Sequence, residues 1–516
     1  MISKQSRTSN SILNIIAAVS GQGISIIVSF ITRIIFISKL GELYLGVNSL
    51  FTNIVGLLSL AELGVGTAIN YSLYKPLAEN DEPKIKSLMD LYRKIYSIIG
   101  CIILFVGIIL MPFLNIFMKA SETDAVPNTK FIFFLFTLNT GISYFYSYKR
   151  ALIISDQKRY IATIYRYVFY VLMNILQIII LILTQNFILY LVIMLICTVS
   201  ENICVSIKAD KMYPFLKDKN IDSLESTVIT DIKKNTLALM YHKIGSTVVN
   251  STDNILISKI IGIVAVGLYS NYLLITNALN VVIAQLFMAL TASIGNMGAT
   301  ESKEKSLNIF YKIFFVNFWI VSIISCSVYC NVNILVETWF GANMLLDKNV
   351  LICIVINFYI YQIRRTVLTY RDAYGLFWQD RYKALIEAIL NIIISIILGY
   401  KLGLIGIFLG TIISSVGVSL WVEPYVLFKY GFFKELKIYF VRLVIYTIIT
   451  FIASIICDVI ISNIGLHGFV GFLLGVTICV LLVSLAICVI FFKSEEFKFV
   501  MNLIIKMFNK IRRKKC

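Results

Sequence analysis

A chain of 516 residues with 59% hydrophobic and 14% charged residues cannot hide its apolar surface in water. It fits repeated spans that use lipid as solvent. The formal net charge of +18 sits in short basic segments between apolar runs, the pattern of cytoplasmic loops and not of a nucleic-acid-binding face.

In chain order, the N-terminal stretch MISKQSRTSNSILNIIAAVSGQ imitates a signal peptide through Ala17, Ala18 and Ser20. The apolar run continues to Ile37, so a first transmembrane helix is expected instead. A bilayer-spanning helix needs roughly 20 mainly apolar residues, and about fourteen segments meet that need. They lie near 11–37, 44–73, 92–117, 129–149, 160–184, 187–207, 235–259, 265–292, 308–331, 349–370, 383–399, 403–428, 438–461 and 468–492. The expected fold is an all-α integral membrane protein with two six-helix lobes in a pseudo-two-fold repeat, plus two additional helices.

An even number of spans puts both termini on one side. With the N-terminus cytoplasmic, about 34 of the 46 Lys and Arg fall in inside segments and six in outside loops, at Lys39, Lys119, Lys130, Lys259, Lys348 and Lys401. This bias predicts that both termini are cytoplasmic. Lys75, Lys84 and Lys86 then mark the cytoplasmic exit of the second span. Every outside loop is short, so function rests with the helices themselves.

An internal repeat supports the lobes. TRIIFISKLGELYLGVNSLF (32–51) echoes TDNILISKIIGIVAVGLYSN (252–271), and DQKRY (156–160) more weakly echoes WQDRY (378–382). Gly41 and Gly46 fall opposite Gly262 and Gly267 after a one-residue slip. Parallel repeats of this kind occur in transporters whose lobes rock about a central site; a chance match of apolar strings is the alternative. The expected division is an N-terminal lobe at 1–209, an inter-lobe loop at 210–234, a second lobe at 235–430, two added helices at 431–493 and a basic amphipathic tail at 494–516. That tail is expected to lie on the inner leaflet against anionic lipid.

Ionisable side chains within spans are costly and mark functional sites or internal ion pairs. The candidates are Arg33, Glu62, Arg166, Glu201, Lys243, Asp253, Arg364, Arg365, Glu387 and Arg442. Arg33 and Asp253 occupy matching repeat positions with opposite sign. Arg33 suits an anionic headgroup, and Asp253 suits proton or sodium coupling; an internal ion pair is the competing reading. Glu62 lies in A-E-L-G-V-G, just before the close-packing glycines Gly64 and Gly66, and must find a donor, with Lys243, Arg33 or backbone groups available. Arg364, Arg365 and Arg371 would form a basic track suited to pyrophosphate, or else snorkel to the interface. Lys243, near the start of its helix, is placed to reach headgroups.

Other chemistry is disfavoured. Two histidines, His242 and His467, leave little for a histidine metal site or a Ser-His-Asp triad. No G-x-x-x-x-G-K-[ST] loop occurs, so ATP hydrolysis by this chain is not expected. The ten cysteines show no C-x-x-C pairing and read as buried free thiols. No metal or cofactor is expected, the coupling ion, H+ or Na+, being left open, and the chain reads as a transporter and not an enzyme.

Three stretches carry a family likeness. LGELYLGVNSLFTNIVGLLSLAELGVGTAINYSLYKPLAENDEPKIKSLM (40–89) resembles the oligosaccharide-lipid flippases of bacterial surface polysaccharide pathways, within the multidrug/oligosaccharidyl-lipid/polysaccharide exporter superfamily. DNILISKIIGIVAVGLYSNYLL (253–274) and YRDAYGLFWQDRYKALIEAILNIIISIILGYKLGLIGIFLGTIIS (370–414) extend the likeness into the second lobe. The resemblance implies a polyprenyl-diphosphate-linked oligosaccharide moved from the cytoplasmic to the outer leaflet by alternating access through a central cationic cavity. It implies cavity arginines at Arg33 and, less directly, Arg364 and Arg365, with Glu62 and Asp253 as acidic partners. Membrane lipids and other polysaccharide assembly proteins are the implied partners, and 438–492 would help shape a groove for the lipid tail. A small-molecule or multidrug exporter of the same superfamily is the alternative; the added helices and the arginines weigh against it.

Overall fold

The computed structural model describes residues 7–502 and 505, apart from 63, 219–221, 223, 225 and 377; some further side chains inside helices, Lys243 among them, lie outside the description. In chain order the helices are α1 (Arg7–Leu58), α2 (Val65–Glu79), α3 (Glu82–Leu110), α4 (Ala120–Ala125), α5 (Thr129–Ser155), α6 (Arg159–Thr184), α7 (Phe187–Met212), α8 (Ser226–Ile260) and α9 (Ile263–Thr300). They continue as α10 (Lys303–Phe340), α11 (Lys348–Ile363), α12 (Arg365–Ala373), α13 (Lys383–Leu402), α14 (Leu404–Ser414), α15 (Leu420–Val426), α16 (Lys437–Ile464) and α17 (Gly468–Phe491). The described part of the tail is helical over 495–502; its basic end lies outside the described residues.

Among the described residues, 11 helical runs are long and apolar enough to cross a membrane. The first, Ile16–Glu62, takes in most of segment 11–37 and the first part of segment 44–73, whose last part lies on α2. The two segments are separated by an elbow where Gly41 adopts φ 78°, a conformation that favours glycine. Segments 129–149 and 235–259 fall on α5 and α8, outside those eleven. The polar content of these helices explains the difference: α5 is hydroxyl-rich and ends near Lys149 and Arg150, and α8 carries Lys233, Asp253 and Lys259. Large apolar side chains stand outward on α16 and α17, among them Val444, Ile448, Phe451, Leu474, Leu481 and Val489, an exposure suited to lipid. The chain is an all-α, multi-pass membrane protein.

The chain forms two compact units, Met1–Gly267 and Leu268–Cys516. In the first, α1 packs on α6, α3 and α7 pack on α5, and α8 lies along α1 and α2. Its inner layer joins Ile69 and Leu73 of α2 to Leu88, Tyr92 and Tyr96 of α3 and to Leu152 of α5. In the second, α10 is the hub against which α11, α16 and α17 pack, with α13 and α14 as a tight hairpin. Its core is aromatic: the Phe310 ring meets Tyr370 at 5.2 Å and Phe432 at 5.3 Å, and Phe314 meets Tyr439 at 5.1 Å. Edge-to-face and tilted rings of this kind add to the area they bury.

The repeat glycines have a structural reason. Gly262, like Gly41, turns an elbow at positive φ (137°). A Cβ on Gly46 would run into the carbonyl of Ile263, and one on Gly267 into the carbonyl of Glu42. Adding 221 to Glu42 gives Ile263, and adding 221 to Gly46 gives Gly267. Reciprocal contacts of this form are the signature of a two-fold relation between the elbows. Beside them, Lys119 Nζ donates to the Ile261 carbonyl at 2.7 Å and Lys259 Nζ to that of Asn115 at 2.7 Å. Glu122 Oε1 accepts from the Ile263 N–H at 2.8 Å.

Candidate functional site

In the first unit, the apolar run that carries Glu62 is not a continuous helix. After Leu58 the chain makes a 3-10 turn, Ser59–Glu62, and restarts at Val65 from Gly64, which holds φ 81°. Breaking a span frees backbone groups that must be satisfied locally, and such breaks occur where a site is built. Glu62 Oε1 accepts a hydrogen bond from Tyr96 Oη at 2.6 Å, and Tyr92 Oη follows at 3.3 Å from Tyr96 Oη. The Tyr92 and Tyr96 rings lie 4.5 Å apart, and the Tyr144 ring stacks obliquely on Tyr96 at 5.4 Å.

Gly66 makes this arrangement possible. A Cβ there would strike Tyr96 Oη and stand 2.7 Å from Glu62 Oε1 and 2.8 Å from Tyr92 Oη. The two glycines of A-E-L-G-V-G thus have different tasks: Gly64 supplies the turn, and Gly66 supplies the space. The carboxylate also lies at the start of α2, where the helix dipole favours negative charge. Tyr96 is a donor that the sequence reading did not consider. Its signal was the Tyr92–Tyr96 pair at i, i+4, which places both phenols on one helix face.

Arg33 stands half-buried on α1, beside Tyr170 of α6 and Tyr190 of α7. One residue away, Thr32 Oγ1 donates to Asn174 Oδ1 at 2.7 Å. Its neighbours come from α6 and α7, while those of Glu62 come from α3 and α5. Asp253 is half-buried on α8; Lys243, on the same helix, has a side chain outside the described residues. Glu201 is paired with Arg150 at 2.6 Å, and Arg442 with Glu496 at 2.5 Å.

In the second unit, α11 gives way to α12 at Arg364, and Asn317 Nδ2 caps the carbonyls of Gln362 and Ile363 at 3.0 and 3.1 Å. Arg364 is 5% exposed and grips Glu423 with both edges of its fork, Nε to Oε2 at 2.9 Å and Nη2 to Oε1 at 2.6 Å. Lys383 Nζ reaches the same Oε1 at 2.5 Å and stands 3.7 Å from Glu387 Oε2. Glu387 accepts from Ser415 Oγ at 2.9 Å and Ser419 Oγ at 2.5 Å. The four ionised groups sum to zero charge, which makes their shared burial tolerable.

Arg371 is likewise engaged, with Asp380 at 2.5 Å and Asp372 at 2.7 Å. The basic track envisaged through Arg364, Arg365 and Arg371 is therefore interrupted at two of its three members by buried carboxylates, Glu423 at Arg364 and Asp380 at Arg371. Arg365 is the exception in kind: its guanidinium lies over the Tyr361 ring at 5.0 Å. Glu423 and Lys383 were missed by the sequence reading. The signal was W-V-E-P-Y inside the apolar run 403–428, with Lys383 opening the preceding span.

The comparisons agree with this architecture. The model of the polysaccharide biosynthesis protein family matches residues 11–294, more than half of the chain. No curated protein sequence matches. Among solved structures, the chain is similar to the lipid II flippase MurJ in an inward closed conformation, with TM-score 0.67 and 14% identity over 93% of this chain and 99% of that one. It is also similar to a multidrug resistance MATE family transporter of the MOP superfamily in an inward-facing conformation, with TM-score 0.62 and 15% identity over 78% of this chain and 94% of that one. A point variant of the Vibrio cholerae MATE transporter VcmN gives TM-score 0.53 and 16% identity over 83% of this chain and 99% of that one. With the family model spanning both elbows and the broken span of Glu62, the chain belongs to the polysaccharide biosynthesis protein family, and it shares the fold of the flippase and transporter structures.

Proposed function

We propose that the protein is a flippase. It moves a polyprenyl-diphosphate-linked oligosaccharide, a surface polysaccharide repeat unit, from the inner to the outer leaflet by alternating access through a central cationic cavity. The observation that carries this reading is the extent of the two structural likenesses. The flippase match covers 93% of this chain, whereas the MATE match, nearly complete on its own side at 94%, leaves about a fifth of this chain unmatched. Two helices beyond a twelve-helix transporter suit a substrate whose lipid tail stays in the bilayer while its sugar–pyrophosphate head crosses. The lobes are 1–209 and 235–430, with 431–493 as the added pair, both termini cytoplasmic in a bacterial inner membrane, following the Lys and Arg bias.

Within this proposal Arg33 meets the diphosphate, Glu62 and Asp253 serve as its acidic counterparts or as proton or sodium sites, and Lys243 and Arg365 add positive charge along the path. Arg364 enters through its hold on Glu423. Other polysaccharide assembly proteins supply and consume the lipid-linked unit. The second reading, an ion-coupled small-molecule exporter, is favoured by the MATE likeness at TM-score 0.62.

Proteoliposomes separate the two. Fluorescent polyprenyl-diphosphate sugar in the inner leaflet should become accessible to an external quencher in a protein-dependent manner, with no efflux of an organic cation. Cation efflux without lipid exposure would replace this proposal with the second reading.

A further inference from the structure

Four cysteines that are scattered in the sequence come together in the second unit. Cys326 and Cys330 lie one turn apart on α10, Cys457 is on α16 and Cys479 on α17. Cys326, Cys457 and Cys479 are each fully buried, and their Sγ atoms all lie within 4.8 Å of one another. Cys330 lies beside Cys326 and Cys479 but outside the tight group of three, and its Sγ donates to the Ser454 carbonyl at 3.9 Å. Among the described residues, this is the one group of three His, Cys, Asp or Glu found to converge in this way.

Small buried residues alone do not require this geometry. Sulfur atoms held at about 2.3 Å from one metal ion stand roughly 3.8 Å apart in a tetrahedron, so adjustments of under about 1 Å would close the observed cluster around an ion. The donor set is all sulfur, which selects a soft, thiophilic cation over calcium, magnesium or manganese. An outer contact is also in place: Asn331 Nδ2 donates to Cys479 Sγ at 3.6 Å. Hydrogen bonds of that kind orient a ligating thiolate and offset its charge. Asn331 is itself wedged against α17 at Gly475, where a Cβ would strike its amide.

We propose that Cys326, Cys457 and Cys479, with Cys330 as the fourth donor, bind a closed-shell thiophilic cation, Zn2+ or Cu+. Each thiol that ligates releases its proton to solvent, and no oxidant or reductant is needed. The ion ties α16 and α17, the two helices beyond the twelve-helix plan, to the hub helix α10. This is a structural site and does not depend on the transport reaction.

The test uses the full chain purified in detergent under inert gas without chelator. Mass spectrometry of the metal content should find about one ion per chain. Retention of zinc through a cuprous chelator identifies Zn2+, and loss of copper to that chelator identifies Cu+. Cys326→Ser with Cys457→Ser should lose the ion, whereas Cys353→Ser, a buried cysteine elsewhere on α11, should keep it. If the double variant fails to fold, the wild-type chain still decides: Cd2+ should produce a thiolate-to-cadmium ultraviolet band. A chain that carries no metal and takes up no Cd2+ overturns the proposal. So does a disulfide between any two of the four, found by non-reducing peptide mapping.

Discussion

Glu423→Gln isolates the most charged point of the buried interior. The carboxylate is fully buried and receives Arg364 through two bonds and Lys383 through a third. Glutamine keeps the volume but removes the charge, leaving Arg364 and Lys383 against Glu387 alone, a net buried charge of plus one. Removing one member of such a buried set typically costs about 3–5 kcal/mol, because the remaining charge is neither solvated nor paired. Arg364→Met with Glu423→Leu removes one charge of each sign. Lys383 then has Glu387 3.7 Å away, and the set is neutral again. The double variant should recover at least about half of the loss, since apolar replacement of a buried pair is often neutral or better. The assay is thermal unfolding of purified protein in one detergent, followed by near-ultraviolet circular dichroism. A Glu423→Gln variant as stable as wild type, or a double variant less stable than the single, would refute the reasoning.

Three further predictions concern the first unit. Arg33→Ala should insert and fold as wild type yet fail to restore glycan export in a strain lacking the protein; normal export at equal membrane levels would remove Arg33 from the path. Glu62→Gln and Tyr96→Phe should each reduce export while leaving membrane insertion intact; unchanged export by Glu62→Gln across external pH would reduce that residue to a packing partner. Gly46→Ala should cost about 1–3 kcal/mol by overpacking against the Ile263 carbonyl, whereas Gly23→Ala, inside a helix and with open space around its Cβ, should not lower the thermal midpoint.

The membrane-spanning helices were legible because lipid imposes length and apolarity on each segment separately. The elbow at Gly41 was legible too, through its echo at Gly262, because a turn at positive φ leaves a glycine in the sequence. What the echo did not disclose was the reciprocal meeting of Gly46 with Ile263 and Gly267 with Glu42, since pairing across 221 residues leaves no local pattern. Glu62 was conspicuous as a carboxylate in an apolar run, but its phenol partner was hidden, as Tyr96 reads like any interfacial aromatic. Glu423 escaped altogether. It lies inside the run 403–428, beside Pro424 and between two π-helical turns, Ser415–Ser419 and Leu427–Phe432, and nothing local in the sequence marks it as the partner of Arg364 and Lys383. The cysteines were seen singly and read as isolated thiols, because only packing brings α10, α16 and α17 together.

The claim that the protein flips a lipid-linked glycan is tested most directly by asking on which leaflet that glycan resides. The protein is depleted in its native host, and intact spheroplasts and inverted vesicles are exposed to a membrane-impermeant enzyme that cleaves glycan from its polyprenyl carrier. Completed units should accumulate, protected in spheroplasts and cleaved in inverted vesicles, and should return to the outer face when the protein is restored. Units that reach the outer leaflet at the normal rate without the protein, in a host with no second flippase, would contradict the account.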